Sequence, residues 1–177
     1  LYRHRHFTAQ VKLLKQAFSV EPGGVSLPTF PPFALFDPAL GLTSVIPDMD
    51  PTKPASVNPE RIVEAITTQG VTQAYGSPAL WNRVGHYCVE RNIKLPGLRR
   101  ILSAGAPVPN HVLQRMSNAL DPTADFFTPY GATECLPVAS ISAREVLHDT
   151  AALTAVGKGT CVGRLFDRMR VRIIETS

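Results

Sequence analysis

Phe7, Val11, Leu14 and Phe18 fall at i, i+4, i+7 and i+11, the repeat that stacks apolar side chains on one face of a helix. The pattern predicts a first helix that packs on something and stops before Glu21-Pro22-Gly23-Gly24. Val25-Ser26-Leu27 and Leu42-Thr43-Ser44-Val45-Ile46 are short apolar, β-branched runs bounded by Pro or Gly, and both read as buried strands. Between them residues 30–38 carry too many prolines for a regular element before their last turn. Asn58-Pro59-Glu60 supplies a cap acceptor, a proline at the first helical position and a first-turn acid; with Ile62, Ile66 and the closing Gly70 it delimits a helix.

The alternation continues. Residues 71–75 read as a strand, Ser77-Pro78 opens a helix carrying Trp81, Val84 and Cys88, and Arg100-Ile101-Leu102-Ser103 is another strand. A helix over 109–120 presents Val112, Met116 and Leu120; strands follow at Asp125-Phe126-Phe127 and 138–141, and Ser142-Ala143-Arg144-Glu145 has the capping-box spacing. Met169, Val171 and Ile173 alternate with arginines, the signature of a half-exposed strand. Residues 150–164, rich in Gly and Thr, read as a surface loop or an edge.

Strands separated by helices of about ten to fifteen residues imply an α/β fold, a mostly parallel sheet flanked by helices. Ligands of such sheets bind beyond the carboxyl ends of the strands. The loops 30–38, 104–109 and 128–137 stand at such ends.

Composition narrows this picture only modestly. The 177 residues, 44% of them hydrophobic and 18% charged, are enough for one ordinary domain with a real core. The net charge of +4 is spread along the chain apart from Arg3-His4-Arg5-His6, so nucleic acid is not required as a partner. Cys88, Cys135 and Cys161 show neither paired zinc spacing nor an even disulfide count, which suits a reducing, cytoplasmic setting. Pro, Gly, Asp or Arg interrupts every apolar run before it could span a bilayer, so no transmembrane segment is expected.

The chemistry concentrates in Phe126-Phe127-Thr128-Pro129-Tyr130-Gly131-Ala132-Thr133-Glu134. Tyr130 can stack on a base, Gly131 and Ala132 permit close backbone approach, Thr133 can donate to a phosphate oxygen, and Glu134 is a hard oxygen ligand suited to Mg²⁺. The same residues also suit a strand-to-helix turn, with Thr133 as cap and Glu134 as a first-turn acid. Other candidates are weaker. Gly157-Lys158-Gly159-Thr160 lacks the strand-loop-helix frame of a phosphate loop; His86 and His148 lack partners at ligand spacing; Cys135 reads as a small packed residue; Asp48 and Asp50 lie between prolines and read as a turn.

Tyr130-Gly131-Ala132-Thr133-Glu134 resembles the Tyr-Gly-x-Thr-Glu signature of the adenylate-forming (ANL) superfamily of acyl-CoA synthetases, peptide-synthetase adenylation domains and luciferases. Upstream, Ser103-Ala104-Gly105-Ala106-Pro107-Val108 is similar to the family's Ser-Gly-Gly-Ala-Pro-Leu loop, and downstream Val162-Gly163-Arg164 is similar to its Val-Gly-Arg-Pro. Pro31-Pro32-Phe33-Ala34-Leu35-Phe36 stands where the family has a Pro-Leu-Phe-His loop beside the acyl pocket, with Ala34 at the usual His. The text from Phe33 to Gly41 and from Val45 to Ala55 resembles most the olefin-biosynthesis branch, OleC, whose members close a 2-alkyl-3-hydroxy acid into a β-lactone.

The resemblance implies that the fold is a subdomain of the large N-terminal domain of an adenylate-forming enzyme, with ATP and Mg²⁺ as cofactors. Gly105, Ala106 and Pro107 would lie against adenine, Tyr130 would stack on its other face beside Gly131 and Ala132, Thr133 would bind the α-phosphate, and Glu134 would hold the metal. Phe33, Ala34 and Phe36 would border the substrate pocket. The implied substrate is a carboxylic acid, a long-chain 3-hydroxy acid on this branch, and assembly with other enzymes of such a pathway is implied too. Ala34 in place of His argues against ordinary CoA-ligase chemistry. A conventional acyl-CoA or carrier-protein ligase and a non-catalytic nucleotide- or protein-binding domain remain the competing readings.

The resemblance places residues 1–177 as an internal fragment of an AMP-binding domain, without the family's phosphate loop, its ribose-binding Asp or the C-terminal domain with its catalytic Lys. The 177 residues alone are expected to fold but neither to adenylate acids nor to bind ATP tightly. Pyrophosphate exchange by the isolated chain at the rate of an intact enzyme would overturn this expectation.

Overall fold

Residues 100–103 of the strand β4 (Arg100–Ser103) alternate half-buried and buried, so the two faces of this strand meet different layers. The computed structural model of the chain describes residues 2–132 and 134–175. Among these, β1 (Val25–Pro28), β2 (Thr43–Ser44), β3 (Gln73–Gly76), β4, β5 (Asp125–Ala132), β6 (Cys135–Ser142) and β7 (Arg164–Leu165) form one sheet in the order β2-β1-β3-β4-β5-β6-β7. Pairing is parallel from β2 through to β5 and antiparallel for β5-β6 and β6-β7.

Chain direction reverses at β1. The connection from β1 to β2 runs one way through α2 (Phe36–Leu40), whereas α3 (Pro59–Thr68), α4 (Pro78–Glu90) and α5 (Asn110–Ala119) carry the chain the other way to β3, β4 and β5. Parallel crossovers are right-handed, so opposite directions lay their helices on opposite faces. One face packs Leu27, Ala74, Ile101 and Phe126 against Ile62, Trp81, Val84, Val112 and Met116 of α3 to α5. The other packs Phe18, Val20, Leu40 and Leu42 with Leu102 and Phe127, beneath α1 (His4–Ala17) and α2.

Local punctuation behaves as the residues predict. The Asn58 side chain accepts from the Glu60 amide at 3.0 Å, and Ser77 caps α4 by accepting from Leu80. Ser142 and Glu145 form the predicted capping box, opening a short helix, α6 (Ala143–Glu145), that passes through one π-type turn into α7 (Ala151–Ala155). In the proline-rich segment Pro31 and Pro32 start a 3-10 turn, Pro31–Leu35, that runs into α2; Gly41, at φ 76°, ends it in the left-handed conformation.

Four expectations change. Of the run 42–46 only Thr43 and Ser44 pair, at the outer edge of the sheet, with Ile46 62% exposed; the segment has a neighbour on one side only. Residues 169–173 form no strand, and Ile173 is 95% exposed, because no described strand lies beside them to pair with. Residues 150–164 include α7 rather than only a loop. Cys135, expected to be packed, is exposed.

Asn58→Ala should lower stability in urea denaturation by about 1 kcal/mol, the usual cost of a lost cap acceptor. Gly163→Ala should cost more, about 2–3 kcal/mol, since Gly163 has φ 83° and an added Cβ would overlap the carbonyl group of Ser140. Equal midpoints for both variants and the parent would contradict these assignments.

Candidate functional site

The carboxyl ends of β1, β3, β4 and β5 open onto one cavity of about 930 Å³, within the size of small-molecule sites. Its floor is the sheet face that carries Ser26, Pro28, Gln73, Tyr75 and Leu102; α1 and α2 roof it with Gln10, Leu14, Phe36 and Leu40. It includes the crevice between β1 and β3, where strand order reverses and where open α/β sheets place ligands. Thr29 seals that crevice, its amide and hydroxyl both donating to the Tyr75 carbonyl, at 3.0 and 2.9 Å.

One wall is aromatic. Phe33 stacks on Tyr75 with ring centroids 3.7 Å apart, Phe36 lies beside Phe33, and Phe7 stacks on Phe36 at 5.0 Å. Burial pushes the Tyr75 hydroxyl up to about 12. Phe33 and Phe36 thus line the cavity; Ala34, half-buried on the same 3-10 turn, is not among the described lining residues, because the turn directs successive residues differently.

The opposite wall holds the two expected nucleotide segments together. Gly105, Ala106 and Pro107 line it and are exposed; Gly105, at φ 94°, has nothing within 4 Å of an added Cβ, so a ligand can approach its backbone. Before them Ser103 is 1% exposed, and its hydroxyl lacks a hydrogen-bond partner. Tyr130, Gly131 and Ala132 line the same wall, with the Tyr130 side chain largely exposed.

Residues 126–134 do not form a strand-to-helix turn. β5 runs on to Ala132 and β6 begins at Cys135, with a register shift between Tyr130 and Ala132. Gly131 serves this hairpin rather than an open approach: an added Cβ would lie 2.8 Å from the Cys135 carbonyl and from Leu136. Thr133 lies outside the described residues. Glu134 is an exposed turn residue two positions beyond Ala132, not among the residues lining the cavity.

Downstream, Glu145 joins three segments. It accepts from Arg164 and from the Ser142 amide and hydroxyl, and these hydrogen bonds, the one from Arg164 foremost, hold its carboxyl below the usual carboxylate range. With Gly163 close against Ser140, this pairing carries Cys161 and Val162 to the cavity wall. Of the Val162-Gly163-Arg164 stretch, Val162 therefore borders the same space as the other two motif segments.

Sequence reasoning missed Asp37. Followed by Pro38 it resembles a turn residue, yet it is 4% exposed, lines the cavity, and accepts a 2.7 Å hydrogen bond from the Ser44 hydroxyl. Burial raises its pKa, and hydrogen bonds from Ser44 and Ser26 partly offset that rise.

No group of three or more His, Cys, Asp or Glu among the described residues could hold a metal. Mg²⁺ needs no such cage, since it commonly takes one or two carboxylates together with phosphate oxygens. The weaker candidates resolve as local contacts: His86 faces Glu90, Asp48 pairs with Arg61, and Asp50 accepts from Thr52 in a turn. No helix of the described residues is long and apolar enough to cross a membrane.

Known proteins resemble this chain in sequence and fold. The chain is 56% identical over 174 residues to the olefin beta-lactone synthetase of Xanthomonas campestris pv. campestris, covering 98% of this chain and 30% of that protein. It thus spans about a third of the length of this curated relative. Among solved structures, VinN in complex with L-aspartate aligns over 93% of this chain and 39% of its own, with TM-score 0.71 and 16% identity. The nonribosomal peptide synthetase FmoA3, bound to α-methyl-L-serine-AMP, aligns over 78% of this chain and 16% of its own, with TM-score 0.68 and 21% identity. These two show the shared fold, and the sequence model of the AMP-binding enzyme family matches residues 3–177. The chain belongs to the AMP-binding enzyme family.

Proposed function

We propose that the intact protein uses ATP to activate a 3-hydroxy carboxylic acid as its acyl-adenylate and closes the adenylate to a β-lactone. The observation that carries this reading is the meeting of both motif segments, 105–107 and 130–132, with the aromatic wall of Phe33 and Phe36 around a single cavity. The 56% identity to an olefin beta-lactone synthetase supports the choice of product, as does Ala34 where CoA ligases of the family carry His.

In the first step a carboxylate oxygen of the acid attacks the α-phosphorus, the bond to the bridging oxygen breaks, and pyrophosphate leaves. Gly105, Ala106 and Pro107 supply a flat, exposed surface for the adenine, and Tyr130 offers a ring for its other side. Thr133 is assigned to the α-phosphate. Glu134 is assigned to Mg²⁺, which when bound neutralises charge on the phosphates. Phe33 and Phe36 exclude water from the acyl side, which protects the mixed anhydride.

In the second step the substrate's own 3-hydroxyl oxygen attacks the acyl carbon, its proton passes to solvent or to a basic group, and AMP departs as the four-membered ring closes. Intramolecular placement replaces a second substrate. The substrate-side requirement is a folded acyl chain, which an apolar, enclosed wall enforces.

In the intact enzyme Glu134→Ala should lower Mg-dependent AMP formation by about 100-fold or more while the circular dichroism spectrum stays unchanged. Undiminished turnover would remove Glu134 from the mechanism. CoA should not accelerate AMP release by the parent protein; a CoA-dependent rate with a thioester product would favour the conventional ligase reading. Tight nucleotide binding without turnover of any acid would favour a binding domain.

A further inference from the structure

We infer that Asp37 is the specificity-determining residue for the substrate hydroxyl: its carboxyl group hydrogen-bonds the 3-hydroxyl and so separates hydroxylated from unsubstituted acids. The inference rests on the proposed activation of a 3-hydroxy acid.

The placement of this carboxyl group is unusual for a merely structural acid. Asp37 lies in the first turn of α2 and is 4% exposed, among the residues that line the cavity and next to Phe36 and Leu40. Among the described residues it forms no ion pair with Lys, Arg or His. A buried carboxyl without a cation is costly, and such groups concentrate where a ligand uses them.

What surrounds Asp37 is hydroxyl chemistry. Ser44 donates to Oδ2 at 2.7 Å, and Ser26 is a second hydroxyl partner. Ser26 and Ser44 are direct register partners in the parallel β1-β2 pair, so both hydroxyls rise from the same face beneath α2. A carboxylate offers about four lone-pair positions, and two serine donors leave acceptor capacity toward the cavity. A substrate hydroxyl needs one acceptor. An ammonium group brings three donors, and the neighbouring Phe33, Phe36 and Leu40 side chains offer no acceptor for the others. The site is therefore matched to an alcohol rather than an amine. Removing the hydroxyl from the substrate would leave the carboxyl group facing an apolar chain, and this unpaired state is the source of discrimination.

The test measures kcat/KM for ATP-pyrophosphate exchange, which reads adenylation before ring closure, by the intact enzyme with a 2-alkyl-3-hydroxy acid and with its 3-deoxy and 3-amino counterparts. The parent enzyme should prefer the hydroxy acid over the deoxy acid by about 100-fold. Asp37→Ala should bring that ratio to near one, chiefly by losing the hydroxy acid while the deoxy acid keeps its rate. Asp37→Asn, which preserves shape and still accepts from Ser44, should lower the ratio by about tenfold, and Ser44→Ala should lower it in the same direction. If Asp37→Ala does not fold, the Asn variant decides. A ratio unchanged in Asp37→Asn, an equal loss for both acids, or preference of the parent for the 3-amino acid would overturn the inference while leaving adenylation in place. A parent enzyme that supports pyrophosphate exchange with none of the acids would overturn the inference together with the functional proposal.

Discussion

The parallel pairing of β1 with β3, Ser26 to Gln73, Leu27 to Ala74 and Pro28 to Tyr75, is the constraint on which the rest depends. It joins the two directions in which the chain is wound. Because the crossovers that leave β1 and β3 run in opposite directions, their connections part and leave a crevice beyond the carboxyl ends of these strands. The register also fixes side-chain sorting. Leu27 and Ala74 enter the core under α3 to α5, while Ser26, Gln73 and Tyr75 face the cavity. A shift by one residue would put polar groups into that core and apolar ones on the cavity floor.

The other half of the site depends on an antiparallel addition. β6 pairs with β5 rather than crossing over, so the chain turns back at once and the segment 130–132 stays beside the ends of the parallel strands. Gly131 lets the two strands approach where the register shifts, and Gly163 lets the third motif segment close on Ser140. Both glycines of the motif positions are thus explained by backbone packing around the cavity. The Glu145 hydrogen bonds to Ser142 and Arg164 then tie β6, α6 and β7 into one unit.

Helix periodicity and capping were legible because they are local: Asn58, Ser77 and Ser142 each act on an amide within three residues. The parallel sheet followed from the alternation of elements. Edge status was not legible, since the run 42–46 looks like any short buried strand until the sheet order shows that no described strand pairs on its far side. The same holds for residues 169–173, whose alternating pattern states a preference but supplies no partner strand. At the site, Gly105, Pro107, Tyr130, Phe33 and Phe36 were readable as motif positions and do meet at one cavity. Motif position does not fix direction, which is why Ala34 belongs to the same loop and does not line the space. Asp37 escaped notice because an Asp-Pro pair carries the composition of a turn, and only burial distinguishes it.

The two walls of the cavity differ in kind, and this difference limits what can fill it. Gly105, Ala106 and Tyr130 are accessible and supply backbone and one ring, suited to a flat, polar group that keeps some contact with water. Phe33, Phe36, Leu14 and Leu40 form an apolar wall held by ring stacking, suited to hydrocarbon. A ligand that satisfies both must be polar at one end and apolar at the other, and its junction must lie where the strands end. An acyl-adenylate has that form. Two buried polar groups belong to lining residues: the Ser103 hydroxyl, which has no partner, and the Asp37 carboxyl, which accepts from Ser44. Folding leaves the Ser103 hydroxyl unsatisfied, and a bound ligand that hydrogen-bonds it recovers what folding forgoes.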